Sequence, residues 1–280
     1  MPLSWDIWQE RRQQGMNRSN ALLTMELYAN KNYGDSAIIK GDVFASRRKE
    51  VYPTGLKQFD AALGVGGIPA GNIIEIHGLE NTGKTALALH IVKSFQKRNK
   101  KILYVDADRA LCIEYMAMCG VTERNIYMLN MDTLEDTFQA IRTLIPVFDL
   151  IVIDTLSAIP TKEETAQTGQ YLEVQNKSAK ILSNEWAHIK HELARYNSTM
   201  IVINQMREKV GILWGNPLFA LGGRALKAYS TISICMRYMG AEKRQGDIIG
   251  QGARADIEKN KCAAPYRSAE ITILYGKGMI

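Results

Sequence analysis

A chain of 280 residues with 46% hydrophobic content has room for one large α/β core and a small appendage, and its composition is that of an ordinary globular protein. No apolar run approaches the roughly 20 residues of a bilayer-spanning helix, and the N-terminus (Trp5, Asp6, Trp8, Glu10) has no apolar stretch of signal-peptide type, so the sequence predicts a cytoplasmic location and no membrane partner. The net charge of +6 suits a polyanionic partner and suits plain solubility equally well.

In chain order, residues 1–50 read as an appendage. Ser19 can cap a helix whose apolar positions (Leu22, Leu23, Met25, Leu27, Tyr28) continue to about Lys31; Tyr33-Gly34-Asp35 reads as a turn and Ala37–Ile39 as a short strand. No Pro/Ser-rich linker follows, so this arm is expected to pack on something, a neighbouring subunit being one choice. From residue 51 to 280 the pattern is that of a core. Strand-like runs at Ile73–Ile76, Ile102–Val105, Ile126–Leu129, Leu150–Ile153 and Thr199–Ile203 alternate with helical patterns at Thr85–Lys97, Leu111–Cys119, Leu134–Leu144 and Tyr171–Tyr196. Continuous apolar strands separated by helices predict an α/β fold, a mainly parallel sheet with helices on both faces. After about residue 230 the long helices stop. Runs at Thr231–Arg237, Ala253–Lys259 and Ala269–Tyr275 predict antiparallel additions to one edge.

The four cysteines (Cys112, Cys119, Cys235, Cys262) form no C-x-x-C pair, and none lies near a histidine at metal-ligand spacing. They read as reduced, mostly buried thiols. His188 and His191 have no evident third ligand and read as a surface pair.

The segment Gly78-Leu79-Glu80-Asn81-Thr82-Gly83-Lys84-Thr85 has the pattern G-x-x-x-x-G-K-T between a predicted strand and a predicted helix. In that context Gly78 and Gly83 let backbone N–H groups of the loop, across Glu80, Asn81 and Thr82, face a β-phosphate, with the positive N-terminus of the helix behind it. Lys84 adds a point charge on the β- and γ-phosphates, and Thr85 an oxygen for Mg²⁺. Asp154 ends the buried run Leu150–Ile153 and can hold the hydration shell of the same Mg²⁺. One strand earlier Asp106 and Asp108 offer a carboxylate to polarise an attacking water. Ile201–Ile203 lead into Asn204 and Gln205, whose amide can sense a γ-phosphate. Two stretches without clear period, Met206–Gly223 and Thr161 to about Thr168, follow strand C-termini on the ligand-binding edge of such a sheet. These residues predict a nucleoside triphosphate with Mg²⁺ as cofactor.

From about Asn20 to Gly278 the chain resembles a RecA-family recombinase of the bacterial or phage kind. The resemblance rests on Phe59–Gly78 (FDAALGVGGIPAGNIIEIHG), the phosphate loop, Ile203–Arg207 (INQMR), Gly215–Pro217 (GNP), Gly222–Lys227 (GGRALK), Glu258–Tyr266 (EKNKCAAPY) and Ala269–Gly278 (AEITILYGKG), in order and at family spacing. It implies a helical filament on single-stranded DNA with ATP sandwiched between subunits, a DNA-stimulated ATPase that pairs a homologous duplex and exchanges strands. Asp108, Lys84 and Gln205 would be catalytic, and Lys259 and Lys261 would reach the ATP of a neighbouring subunit. Asp154 would be the Mg²⁺ acid; Tyr115 would stack on adenine, with Tyr275 approaching from the neighbour. The second DNA loop would carry Arg207, Lys209, Val210, Gly211, Gly222, Gly223 and Arg224. The first, within Thr161–Asn176, would hold Val174 and Gln175, with Lys180 nearby. The helix and strand of residues 1–50 would form an oligomerisation arm. Such wedges and backbone contacts read no base sequence.

The chain departs from the family pattern at several points. Asp108 stands where the family has Glu, and Cys112 where it has an Asp that binds the adenine amino group. Leu218 replaces a Glu and Arg224 an Asn, two units more positive in the DNA loop. The chain ends at Ile280, where the family's C-terminal domain would begin. These changes keep an alternative in view, a slowly hydrolysing, ATP-switched filament with a regulatory or structural role. A hexameric motor of the same core is disfavoured by Lys259 and Lys261.

Overall fold

The computed structural model describes residues 18–34, 37–42, 50–166, 171–208, 218–220 and 223–280, some of them (171–180, 207–208, 218–220, 223–224 and a few near residue 20) by backbone alone. The chain divides into two compact units, Met1–Lys49 and Glu50–Ile280.

In the first unit, helix α1 spans Arg18–Tyr33. The strand expected at Ala37–Ile39 is absent: Ala37 and Ile38 form a bend. The Asn30 amide explains this. Its Nδ2 donates to the Ile38 carbonyl at 3.4 Å, and the Ile38 N–H donates to its Oδ1 at 3.1 Å. Both backbone groups that a ladder would use are thereby engaged.

The second unit opens with a small antiparallel pair, β1 (Val51–Tyr52) and β2 (Ile68–Pro69), flanking α2 (Lys57–Leu63). The main sheet contains β3 (Ile73–Gly78), β4 (Ile102–Asp106), β5 (Ile126–Leu129), β6 (Leu150–Asp154), β7 (Thr199–Glu208), β8 (Leu218–Ala220), β9 (Ile232–Arg244), β10 (Asp247–Asn260), β11 (Arg267–Leu274) and β12 (Gly278–Met279). Its order is β12-β11-β10-β9-β3-β7-β6-β4-β5, with β8 paired to β7. Pairings from β9 through β3, β7, β6 and β4 to β5 are parallel; β10, β11 and β12 add antiparallel. The antiparallel edge therefore begins one strand later than expected. The run at Thr231–Arg237, within β9, is parallel to β3, because helix α8 (Gly223–Tyr229) and the segment before it supply the length that a parallel crossover needs.

Helices α3 (Lys84–Gln96), α4 (Ile113–Met118), α5 (Leu134–Leu144), α6 (Lys162–Thr165) and α7 (Tyr171–Tyr196) complete the unit. Strand alternation sorts the core into two layers. Ile74, Ile76, Leu150, Val152, Ala255 and Ile257 pack with Leu87, Ile91 and Phe95 of α3 on one face. Ile73, Ile151, Ile153 and Val202 pack with Phe138 of α5, Trp186 and Ile189 of α7 and Leu226 of α8 on the other. Every residue of β3 and β6 is buried, the polar Glu75 and His77 of β3 included, so the ends of both strands can carry fixed chemistry.

Candidate nucleotide site

The phosphate loop forms where β3 ends and α3 begins. Gly78 has φ +154, and β9 runs so close behind it that a Cβ would collide with the Met236 carbonyl. Gly83, with φ +89, is the N-cap of α3, and a Cβ there would meet the Ile273 side chain. Asn81 between them is left-handed too, with φ 59. The loop is braced from several sides. Thr82 Oγ1 donates to the Leu79 carbonyl at 2.9 Å, and Gln251 of β10 donates through Nε2 to the Asn81 carbonyl at 2.9 Å. Lys84 Nζ donates to the same Leu79 carbonyl at 2.6 Å. Burial draws the Lys84 ammonium below its ordinary pKa, while the charges of Asp154 and Glu80 oppose the shift.

Asp154 ends β6 almost buried, at 8% exposure, and both its oxygens are held: Tyr104 donates its phenol to Oδ2 at 2.8 Å, and Thr155 its hydroxyl to Oδ1 at 3.0 Å. The Tyr104 phenol is pushed well above its usual pKa by burial and then by the Asp154 charge, so it remains a donor. Thr85 and Asp154 supply only oxygen, the donor type that Mg²⁺ takes. The two acids after β4 have different tasks. Asp106 accepts from the backbone N–H groups of Ala110 and Leu111, at 3.3 and 3.0 Å, and so shapes the turn. Asp108 is exposed on that turn. Partial burial, then the negative charges of Asp154 and Asp106, raise its pKa, and the neighbouring Thr155 side chain opposes the shift.

A cleft of about 500 Å³ opens beside the loop, lined by Lys84, Thr85, Tyr115, Cys119, Ile273 and Tyr275 among others. That volume matches a drug- or nucleotide-sized ligand. Tyr275 stands on the chain's own cleft wall together with Tyr115. The β11–β12 turn that carries it folds back over α4, where Gly278 lies against the Cys119 backbone. Cys112, the N-cap of α4, makes no side-chain cap.

Gln205 lies at the end of the buried part of β7, and its Nε2 donates to Glu80 Oε1 at 2.8 Å. The phosphate loop is thus tied to the strand that leads into the second candidate DNA stretch. β7 runs on to Glu208, farther than its apolar run suggests, and pairs with β8 through Met206↔Ala220, Arg207↔Phe219 and Glu208↔Leu218. The stretch read as irregular from Met206 therefore rises from an antiparallel ribbon. Gly223 and Arg224 open α8. Lys209, Val210, Gly211 and Gly222 lie outside the described residues; Arg207, Gly223 and Arg224 are described by backbone only. The described start of the first candidate loop, residues 161–166, is more regular than expected. Thr161 and Glu164 form a reciprocal capping box that starts α6. Val174, Gln175 and Lys180 belong to the backbone of α7.

Lys259 is placed on the opposite face of the sheet from α3. Its Nζ donates to the carbonyls of Lys227 and Ala228 at the C-terminal end of α8, whose Leu226 packs in the second core layer. Burial, then Lys261 and Lys190, pull its pKa down to about 8. Lys261 is exposed beside it. The cysteines divide evenly: Cys119 and Cys235 are buried, whereas Cys112 and Cys262 are exposed, a correction to the mostly buried reading. His188 and His191 are both exposed. Three participants were not singled out from sequence. Tyr104 and Thr155 read as ordinary strand-end residues, and Gln251 reaches the loop from a strand 170 residues later.

A glycine loop between a buried strand and a helix, an acid at the tip of a neighbouring strand and an open cleft beside them define a phosphate-loop nucleotide-binding core. The family model for the RecA N-terminal domain matches residues 21–280, and the chain belongs to that family. It is 37% identical over 252 residues to Protein RecA of Aquifex pyrophilus, covering 89% of this chain and 72% of that protein. It is 37% identical over 253 residues to Protein RecA of Lactobacillus acidophilus (89% and 69%) and 36% identical over 269 residues to Protein RecA of Streptomyces coelicolor (95% and 71%).

Proposed function

We propose that the chain is a DNA-dependent ATPase that assembles on single-stranded DNA as a helical filament and promotes homologous pairing and strand exchange in recombination and repair. One observation carries most of this reading. Gln205 joins Glu80 of the phosphate loop to β7, so a group that engages γ-phosphate sits at the foot of the ribbon leading to the DNA stretch. ATP occupancy and DNA contact then share one strand. Lys84, Thr85 and the loop N–H groups hold the phosphates, with Tyr115 and Tyr275 on the base. Mg²⁺, held by Thr85 and through water by Asp154, would neutralise phosphate charge. Asp108 orients the attacking water.

Assembly is supported by the position of Lys259. A cation on the face opposite α3 is poorly placed for its own cleft, yet it is presented at a helix end where a second subunit's phosphates can meet it. Leu22, Leu23 and Leu27 of α1, all exposed, offer an apolar surface of the kind an oligomerisation arm uses. No helix among the described residues is long and apolar enough to cross a membrane.

The test measures ATP hydrolysis with and without single-stranded DNA and strand exchange in the same preparation. DNA-stimulated turnover together with joint molecules is expected. Filaments that bind DNA without exchange would instead support the ATP-switched structural reading, which the short side chain of Asp108 favours.

A further inference from the structure

β3, β9 and β10 lie side by side, and their register brings together three side chains that are far apart in sequence. His77 and Cys235 are direct partners in the β3–β9 ladder. Glu258 falls where the β9–β10 register shifts between Ile257 and Lys259, and such a shift re-aims a side chain. One nitrogen of His77, the Cys235 sulfur and one Glu258 oxygen all lie within 4.8 Å of one another. His77 and Cys235 are 4% and 6% exposed. The His77 Nε2 is buried and has no hydrogen-bond partner among the described residues. It stands 3.5 Å from Glu258 Oε2, too far for a good hydrogen bond. The ring is held in this orientation because its Nδ1 faces Met206 Sδ at 3.2 Å.

We propose that His77, Cys235 and Glu258 form a binding site for a divalent transition metal of the zinc type. Thiolate, imidazole and carboxylate are the donors that zinc takes, and three protein ligands plus water make a common zinc site. With ligand bonds of about 2.0–2.3 Å, tetrahedral donors lie about 3.5 Å apart, which the His77–Glu258 separation already matches. Lys227 Nζ lies 3.4 Å from the same Glu258 oxygen, and a bound ion has to displace it there. An ion at this point would tie the strand that enters the phosphate loop at Gly78 to the strand that carries Lys259.

The test is Co²⁺ titration of the whole chain, prepared without a metal-binding tag. A thiolate-to-cobalt charge-transfer band is expected that saturates near one equivalent and is displaced by Zn²⁺. It should survive the double variant Cys112→Ser/Cys262→Ser, vanish in Cys235→Ser, and weaken in His77→Gln by more than the roughly 10- to 100-fold that loss of an outer partner costs. Zn²⁺ should raise Tm of the native chain and not of Cys235→Ser. Absence of the band at saturating Co²⁺, or a band that persists in Cys235→Ser, overturns the proposal. If Cys235→Ser does not fold, Glu258→Gln decides: it keeps the shape of a side chain that is 31% exposed, and unchanged Co²⁺ affinity there overturns the site equally.

Discussion

At the scale of single residues, the base role proposed for Asp108 turns on one methylene. Asp108 projects from the β4 turn with its carboxyl pKa raised by partial burial and by Asp154 and Asp106, so it has the character of a base tuned upward. A side chain one carbon shorter sets that base back by about 1 Å, and such a displacement costs on the order of 100-fold in rate. Asp108→Glu is therefore expected to raise kcat for ATP hydrolysis by tenfold or more; an unchanged or lower kcat would show that the backbone already compensates. Cys112 gives a second case. It is the N-cap of α4 without a capping bond, at the start of the helix that carries Tyr115 and Met118 of the nucleotide cleft. Cys112→Asp should stabilise α4 by about 1 kcal/mol through the missing cap. It should also favour ATP over GTP by roughly tenfold in kcat/KM, since a carboxylate accepts from the adenine amino group and repels the guanine carbonyl. Equal specificity ratios in both proteins would remove Cys112 from the base site. Asp108 was legible as a candidate because the phosphate loop fixes what lies one strand away, and Cys112 only through the family resemblance. Tyr104 and Thr155 were not, because a tyrosine within an apolar run and a threonine after an acid read the same whether or not they hold a carboxylate.

At the scale of elements, regular strands and helices of the core follow the hydrophobic pattern, and the differences occur where a partner decides. α5 and α7 begin and end where their periodicity does. β7 extends to Glu208 only because β8 returns to pair with it, and residues 37–39 bend because Asn30 takes the ladder groups of Ile38. Neither pairing has a local signature. Gly78 is the reverse, a position whose identity is dictated by close approach. A methyl group there would press on the Met236 carbonyl of β9, so the cost falls on strand pairing as well as on the loop. Gly78→Ala should lose more than about 1 kcal/mol of stability and also lose ATP binding. A fold of native stability with binding alone abolished would place the constraint on the phosphate and not on β9. The candidate metal group shows the same limit of sequence reading at longer range. No spacing rule links His77, Cys235 and Glu258, and only the order β3-β9-β10 makes them neighbours.

At the scale of the molecule, the question is whether one chain can complete its own site. The α3 face holds the phosphate loop and its cleft, while Lys259 is bound to the end of α8 on the other face. A sheet lies between the two. If Lys259 serves catalysis, the geometry requires a second copy, joined head to tail so that each subunit's cation meets the next subunit's phosphates. Mixing two inactive variants separates this from an action within one chain. Lys84→Ala removes the chain's own phosphate contact and leaves Lys259 intact; Lys259→Ala does the reverse. In a random equal mixture about one heterologous interface in four pairs an intact loop with an intact finger, so DNA-stimulated ATPase should return to roughly a quarter of the native rate. Within a single chain no combination of these two variants restores a complete site, and a mixture as inactive as its parts would confine Lys259 to capping α8.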